Sequence, residues 1–286
     1  MTKAPYRLTR PRVRTSAVVF CSPHSGCDYT PEFLGASQLD PHVLRSSEDA
    51  FVDRLFGDVT ALGAPLLAAL YPRAFVDLNR GPEELDPALI TGLARPSLNP
   101  RINSGLGVIP RVVAGGRAIY PQKMPLEHAR ARLAAVWHPY HRTLVQLLRE
   151  TRDLYGEVLL VDCHSMPREA VAGVRAASGR RPEIVIGDRF GAAASRDVVE
   201  MVETAFQRAG FQVARNTPFA GAYTAHHYGR PSLGQHAVQI EIDRSLYMDE
   251  RRIEPKPEFV EVKAALMQAS AQIARYGGEA LPLAAE

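Results

Sequence analysis

Glu157-Val158-Leu159-Leu160-Val161-Asp162-Cys163-His164-Ser165 is the stretch whose reading decides the fold. Val158 to Asp162 is apolar until its last residue, the pattern of a strand buried on both faces within a parallel sheet. It gives way to Asp, Cys, His and Ser. In open α/β sheets, ligands bind where the carboxyl ends of strands open into a crevice. His164, with an acid two residues before it, is placed there to serve as a metal ligand or a base; the structural alternative is a hydrogen-bonded strand end. Ser16 to Ser22 repeats the form, an apolar run that ends in Pro23-His24-Ser25-Gly26. Two strands that each deliver a His at a carboxyl end point to one shared site for metal or acid/base chemistry.

The remaining periodicity places elements around these strands. Residues 1–15 read as an irregular entry and Cys27 to Ser46 as loop, with Pro31, Gly35 and Pro41 as breakers. Ser47 to Leu62 reads as a helix capped by Ser46 or Ser47, with Glu48 and Asp49 in its first turn and Gly63 closing it. Pro65 to Leu70 and Arg73 to Leu78 read as short strands. Residues 81–125 lose all pattern, and so long a loop within a domain is usually a lid or a binding loop. Leu126 to Tyr155 is the longest helical pattern, with a kink or break expected near Pro139. Strands are expected at Glu183 to Gly187, Phe211 to Ala214 and Ala237 to Ile242, and helices at Ser195 to Ala209 and Pro257 to Tyr276. Asn216 to Gly234 reads as a loop, and the tail after Gly277 as mobile. Alternating strands and helices imply an α/β fold with a mostly parallel sheet. With no repeat and no dividing linker, residues 1–286 read as one domain.

The chain has 286 residues, of which 46% are hydrophobic and 23% charged, with a net charge of +3. That is the make-up of an ordinary globular protein and names no partner. Arg far outnumbers Lys, and several Arg stand beside the candidate motifs rather than in a basic stripe. This favours a small carboxylate ligand over nucleic acid. Three cysteines, Cys21, Cys27 and Cys163, argue against a disulfide framework and for a reducing compartment. Cys21 and Cys163 read as small buried strand-end residues. No apolar run is long enough to span a bilayer. Residues 1–14 are basic and polar without an apolar signal core, so a cytoplasmic protein is expected.

Zinc hydrolases commonly use two His and one carboxylate and leave a position for water. His24 and His164 supply the nitrogens. Asp49, Glu48 and Asp28 are the candidate carboxylates, with Asp49 favoured; for Glu48 and Asp49 the alternative is a favourable charge on a helix dipole. Glu241 is an acid inside the apolar strand Gln239-Ile240-Glu241-Ile242 and rarely sits so without a partner. Beside a metal it serves as general base; its alternative is an ion pair with Arg244. Asn79 and Arg80, after an apolar stretch, suit a carboxylate clamp. Arg111, Tyr120 and Arg244 are further candidate substrate contacts, and Arg117 is another polar residue of the 81–125 loop. His138 and His141 stand either to touch the site or to form a helix-end hydrogen-bond network, the structural role being favoured. His226, His227 and Tyr228 are placed to close over substrate, to polarise the reacting carbonyl oxygen in the transition state, or to form an exposed loop pair.

Pro23-His24-Ser25-Gly26, Asp77-Leu78-Asn79-Arg80, Asp162-Cys163-His164-Ser165 and the Glu241 strand occur in this order in a known family. From about Ser16 to Tyr247 the chain resembles N-formylglutamate amidohydrolase (deformylase), a relative of zinc carboxypeptidases and aspartoacylases. The resemblance implies a three-layer αβα, phosphorylase/hydrolase-like fold with one zinc ion. It implies hydrolysis of N-formyl-L-glutamate to formate and L-glutamate in histidine breakdown. By it, His24, Asp49 and His164 hold zinc, Glu241 is the base and Arg80 binds a substrate carboxylate. Carboxypeptidase-like relatives often place Glu three residues after the first His; here that position is Cys27, which leaves the third ligand open. Other readings are a zinc hydrolase of another N-acyl amino acid, a peptide or a cell-wall amide, and a metal-binding protein of the same fold without catalysis.

Overall fold

In the computed structural model, which describes residues 4–93 and 99–278, seven strands build one sheet in the order β1-β3-β2-β4-β7-β5-β6. They are β1 (Tyr6–Thr9), β2 (Val18–Ser22), β3 (Leu66–Ala69), β4 (Val158–Met166), β5 (Ile184–Gly187), β6 (Val213–Arg215) and β7 (Gln235–Asp243). β4 pairs in parallel with β2 on one side and β7 on the other. β5 and β6 are also parallel, but β5 runs antiparallel to β7. The expected mostly parallel α/β sheet is therefore present, as a mixed one. Every residue of β4 is buried, as its apolar run requires.

The chain groups into two interleaved units. The first comprises Met1–Arg7, Pro23–Ala50 and Ala68–Thr143; the second comprises Leu8–Ser22, Phe51–Leu67 and Leu144–Glu286. Within the second, β2, β4, β5, β6 and β7 carry the apolar core. The helices Arg196–Arg208 and Phe259–Ile273 pack against each other, and the former buries Val198, Val199, Val202 and Phe206. Within the first, Phe33, Leu44, Ala74, Val113 and Ile119 form a core joined by Tyr29, Phe75 and Tyr120. The Arg132 guanidinium lies 4.3 Å from the centre of the Phe75 ring, a favourable cation–π contact.

Several expectations are corrected. The N-terminal stretch is not wholly irregular, because β1 occupies Tyr6–Thr9 at the sheet edge; a four-residue run between prolines is too short to show a period. Pro31 and Pro41 do not break structure but start helices, Pro31–Ala36 and Pro41–Arg45. Thr30 and Asp40 cap these by accepting from the Phe33 and Val43 N–H groups. Proline at the first helical position costs no hydrogen bond. The expected helix over 47–62 begins only at Val52, because Phe51 adopts φ +67°, and continues as a 3₁₀ helix over Gly57–Leu62. Ser46 is the C-cap of the preceding helix, and Gly63 ends the 3₁₀ segment as expected.

Arg73 to Leu78 is not a strand. Phe75 and Val76 N–H groups both donate to the Pro72 carbonyl, so the apolar alternation of Ala74, Val76 and Leu78 is buried on turns. β4 extends past Asp162 to Met166, because β7 continues beside it to Asp243; His164 is thus within the strand. The loop expected over 216–234 contains the helix Tyr223–Tyr228.

Pro139 does not break the long helix. Helical residues run on from Leu126, and His138–Tyr155, here α1, follows a single wide turn at Leu133–Trp137, where His138 N–H donates to Leu133 carbonyl five residues back. A proline removes one i→i−4 bond, and a π-type turn absorbs that loss.

Candidate metal and catalytic site

His24 follows β2 in a stretch that passes close to neighbouring backbone. A Cβ on Gly26 would fall 2.1 Å from the Tyr71 carbonyl oxygen, so only glycine lets the Pro23-His24-Ser25-Gly26 turn close here. Asp49 N–H donates to the His24 carbonyl, which ties the two residues together through the main chain. His24 Nδ1 lies 3.4 Å from Asp49 Oδ2, with both side chains almost fully buried.

The other nitrogen of the ring is held by Asp77. His24 Nε2 is 2.7 Å from Asp77 Oδ1, which also accepts the Asn79 N–H, while Arg73 Nη2 donates to Oδ2 at 2.8 Å. Burial works to raise the Asp77 pKa, but Arg73, His24 and Arg80 outweigh it and hold the carboxyl well below its usual value. An ionised carboxylate can only accept, so Nε2 donates to Asp77, and Nδ1 is the ring nitrogen turned toward Asp49. Such a carboxylate behind a histidine fixes ring orientation in metal sites.

His164 is arranged in the same way. Its Nε2 lies 3.0 Å from Asp162 Oδ2, and the Cys21 thiol donates to Asp162 Oδ1 at 3.2 Å. Asp162 and Cys21 are register partners across β4 and β2. Cys21 and Cys163 are buried, as read from the sequence, and Cys21 in addition orients the acid behind His164.

One ligand atom from each of His24, Asp49 and His164 lies within 4.8 Å of the other two, and all three residues are buried. Two imidazoles and a carboxylate at this spacing are a donor set suited to a divalent ion such as zinc. Glu48, the alternative carboxylate, is engaged elsewhere: it accepts from the Tyr29 hydroxyl and from Arg45. Asp28 is outside the group.

Glu241 on β7 is the register partner of His164 on β4, so both side chains project from one face of the sheet. It is buried, and its Oε1 accepts from Gln239 Nε2 at 2.8 Å. Arg244 is buried and donates to the hydroxyl and the carbonyl of Ser165.

Arg80 is also buried. Its Nε donates to the Leu106 carbonyl at 3.1 Å and its Nη1 approaches the Asn79 carbonyl at 3.5 Å. Among the described residues it forms no ion pair with a carboxylate. Burial lowers its pKa from the usual guanidinium value, against the opposing pull of the Asp77 carboxylate.

The rest of the candidates have identifiable partners. Arg111 donates to Asp86 at 2.8 Å, Tyr120 meets Arg132 through its hydroxyl, and Arg117 is exposed and bonds Ser46. His141 is buried against the Leu78 carbonyl at 3.0 Å, and His138 is exposed. His226 and His227 are exposed on the helix Tyr223–Tyr228, with His227 stacked on Tyr223; Tyr228 is buried. Sequence reading missed the parts played by Asp77, Arg73, Cys21 and Gln239. For Asp77, the signal was present in Arg73 four residues earlier.

The sequence model of the N-formylglutamate amidohydrolase family matches residues 16–248. The chain is 33% identical over 232 residues to an N-formylglutamate deformylase of Pseudomonas aeruginosa, covering 80% of this chain and 81% of that protein. It is 31% identical over 205 residues to the Pseudomonas putida enzyme of the same name, with 71% of each covered. The crystal structure of N-formylglutamate amidohydrolase from Ralstonia eutropha superposes with a TM-score of 0.88 at 32% identity, over 96% of this chain and 98% of that one. An Agrobacterium tumefaciens gene product at 19% identity and TM-score 0.63 shares the fold. With a family match that takes in β2 to β7 of the sheet and the buried His24, Asp49 and His164 group alike, the chain belongs to the N-formylglutamate amidohydrolase family.

Proposed function

We propose that this protein is a zinc-dependent amidohydrolase that cleaves N-formyl-L-glutamate to formate and L-glutamate. The observation that carries the reading is the buried His24, Asp49 and His164 group, with Glu241 paired in register to His164. His24 Nδ1, a carboxylate oxygen of Asp49 and a ring nitrogen of His164 would hold the ion. In such a ligand set zinc acidifies water and polarises a carbonyl. Glu241 takes the proton of the attacking water on its carboxylate and returns it to the departing amine nitrogen. Asp77 and Asp162 fix the orientation of the two imidazoles. Arg80, already desolvated and held by two main-chain carbonyls, grips a substrate carboxylate, assisted by Asn79. Arg244, Arg111 and Tyr120 are further candidate contacts for the acidic substrate. The reading carries with it a role in histidine degradation and a cytoplasmic setting, which the three free cysteines suit. No helix of the described residues is long and apolar enough to cross a membrane.

The test is metal content of the purified protein followed by formate release from N-formyl-L-glutamate. One equivalent of zinc with turnover is expected; bound zinc with no cleavage of any N-acyl amino acid would remove the enzyme reading. Arg80→Ala is expected to raise KM for N-formyl-L-glutamate by about ten- to a hundredfold, the value of a charged hydrogen-bonded pair. Equal losses on N-formyl-L-glutamate and on N-formyl-amino-acid amides lacking the carboxylate would reject the clamp.

A further inference from the structure

Gln239 is a neutral amide buried on β7, two residues before Glu241 and directly opposite Asp162 in the β4 register. Both ends of its side chain are engaged. Nε2 donates to Glu241 Oε1 at 2.8 Å, and Oε1 accepts the main-chain N–H of Ala222 at 2.9 Å. The orientation of the amide is fixed by chemistry, because turning it over would set its oxygen against a carboxylate oxygen and its NH₂ against an N–H. Ala222 is the N-cap of the helix Tyr223–Tyr228.

The segment that leads to Ala222 is seated on the same face of the sheet. Gly187 is the register partner of Gln239 on β5. A Cβ added there would come within 2.6 Å of Gly221 N and 2.7 Å of Ala220 C. The 220–222 backbone therefore lies against the sheet where Gly187 leaves room for it. This gives the Ala222 N–H a fixed position from which to hold the amide.

We infer that Gln239 is the positioning residue of the reaction, whose side-chain bridge from the Ala222 N–H to Glu241 Oε1 sets the plane of the Glu241 carboxylate for proton transfer. The inference rests on the reading of Glu241 as the base. A carboxylate on a three-bond stem samples several rotamers, and each misplacement of a reacting group by about 1 Å costs up to a hundredfold in rate. A donor locked at its other end to the main chain removes that freedom. In this role Gln239 acts through Glu241.

Two variants of the zinc-loaded full chain test this. Gln239→Met keeps the length and burial of the side chain and removes both hydrogen bonds. Its kcat for formate release from N-formyl-L-glutamate is expected to fall about ten- to a hundredfold, with KM and zinc equivalents unchanged. Gln239→Glu keeps an acceptor for the Ala222 N–H but, assayed at a pH high enough that the introduced carboxyl is ionised rather than sharing a proton with Glu241, loses the donor to Glu241, and the same loss of kcat is expected there. A Gln239→Met enzyme with parental kcat overturns the inference. So does a Gln239→Glu enzyme with parental kcat, since anchoring the 220–222 segment would then be the whole role, or a Gln239→Met loss expressed in KM or zinc content. If Gln239→Met does not fold, Gln239→Glu alone decides by the same kcat criterion. An active Glu241→Gln enzyme defeats the base reading itself, whereas an inactive one beside a fully active Gln239→Met defeats only the role of Gln239.

Discussion

Replacing Glu241 with Gln is expected to leave zinc bound at one equivalent while kcat falls about a hundredfold to ten-thousandfold, the usual worth of a positioned general acid–base group. That corresponds to about 3–5 kcal/mol of transition-state stabilisation. The substitution keeps side-chain volume and a hydrogen-bonding oxygen for Gln239 Nε2, so the strand pairing with β4 has no reason to change. It removes the proton acceptor alone. Glu241 is placed to matter because its register partner is His164, so an acid and a candidate ligand stand side by side on adjacent strands. Steady-state formate release and metal analysis of the same preparation make the measurement. Parental turnover in the variant would mean that the water loses its proton to another group.

His164→Ala is expected to lose zinc through dialysis and with it all measurable turnover. Removing a partner behind a metal-bound histidine typically costs about ten- to a hundredfold in affinity, and removing the ligand itself exceeds that. Asp162, fully buried behind the ring, would keep the Cys21 thiol and lose its contact with the imidazole, so some loss of stability accompanies the loss of metal. Circular dichroism separates the two: a folded variant without zinc is the expected result. A folded variant that retains one equivalent after dialysis would show that the ion sits elsewhere.

How much of this was visible in the amino-acid order depends on the reach of each contact. The convergence of His24 and His164 was legible because each closes an apolar run, and the burial of Glu241 because an acid interrupts one. The long helices were legible from their period. Asp77 belongs to the Asp77-Leu78-Asn79-Arg80 motif, but its contact is with a ring 53 residues away in sequence. An Asp before Leu-Asn-Arg looks like any turn residue until that ring is placed beside it. Gln239 gave still less, since a neutral amide in an alternating strand reads as an ordinary polar position. The helix expected from residue 47 was misplaced for a different reason. Phe51 takes up a left-handed conformation that a bulky residue rarely adopts, and only tertiary packing selects it. The strand expected at 73–78 failed because alternation records which side chains are buried, not which main-chain partners they find.

The wide turn before Pro139 works as a phase adjuster. Each residue of an α-helix advances the side-chain direction by about 100°, and two anchors on this helical run must meet different targets. Arg132 lies over the Phe75 ring. One turn later the Trp137 indole N–H donates to the Arg80 carbonyl at 2.9 Å. With one residue fewer in that turn, the azimuths of these anchors would fall out of step, and the backbone beneath the proposed carboxylate clamp would lose its support. The irregularity that spares the helix a break at proline therefore also sets the rotational angle at which the helix grips the Asp77 to Arg80 corner.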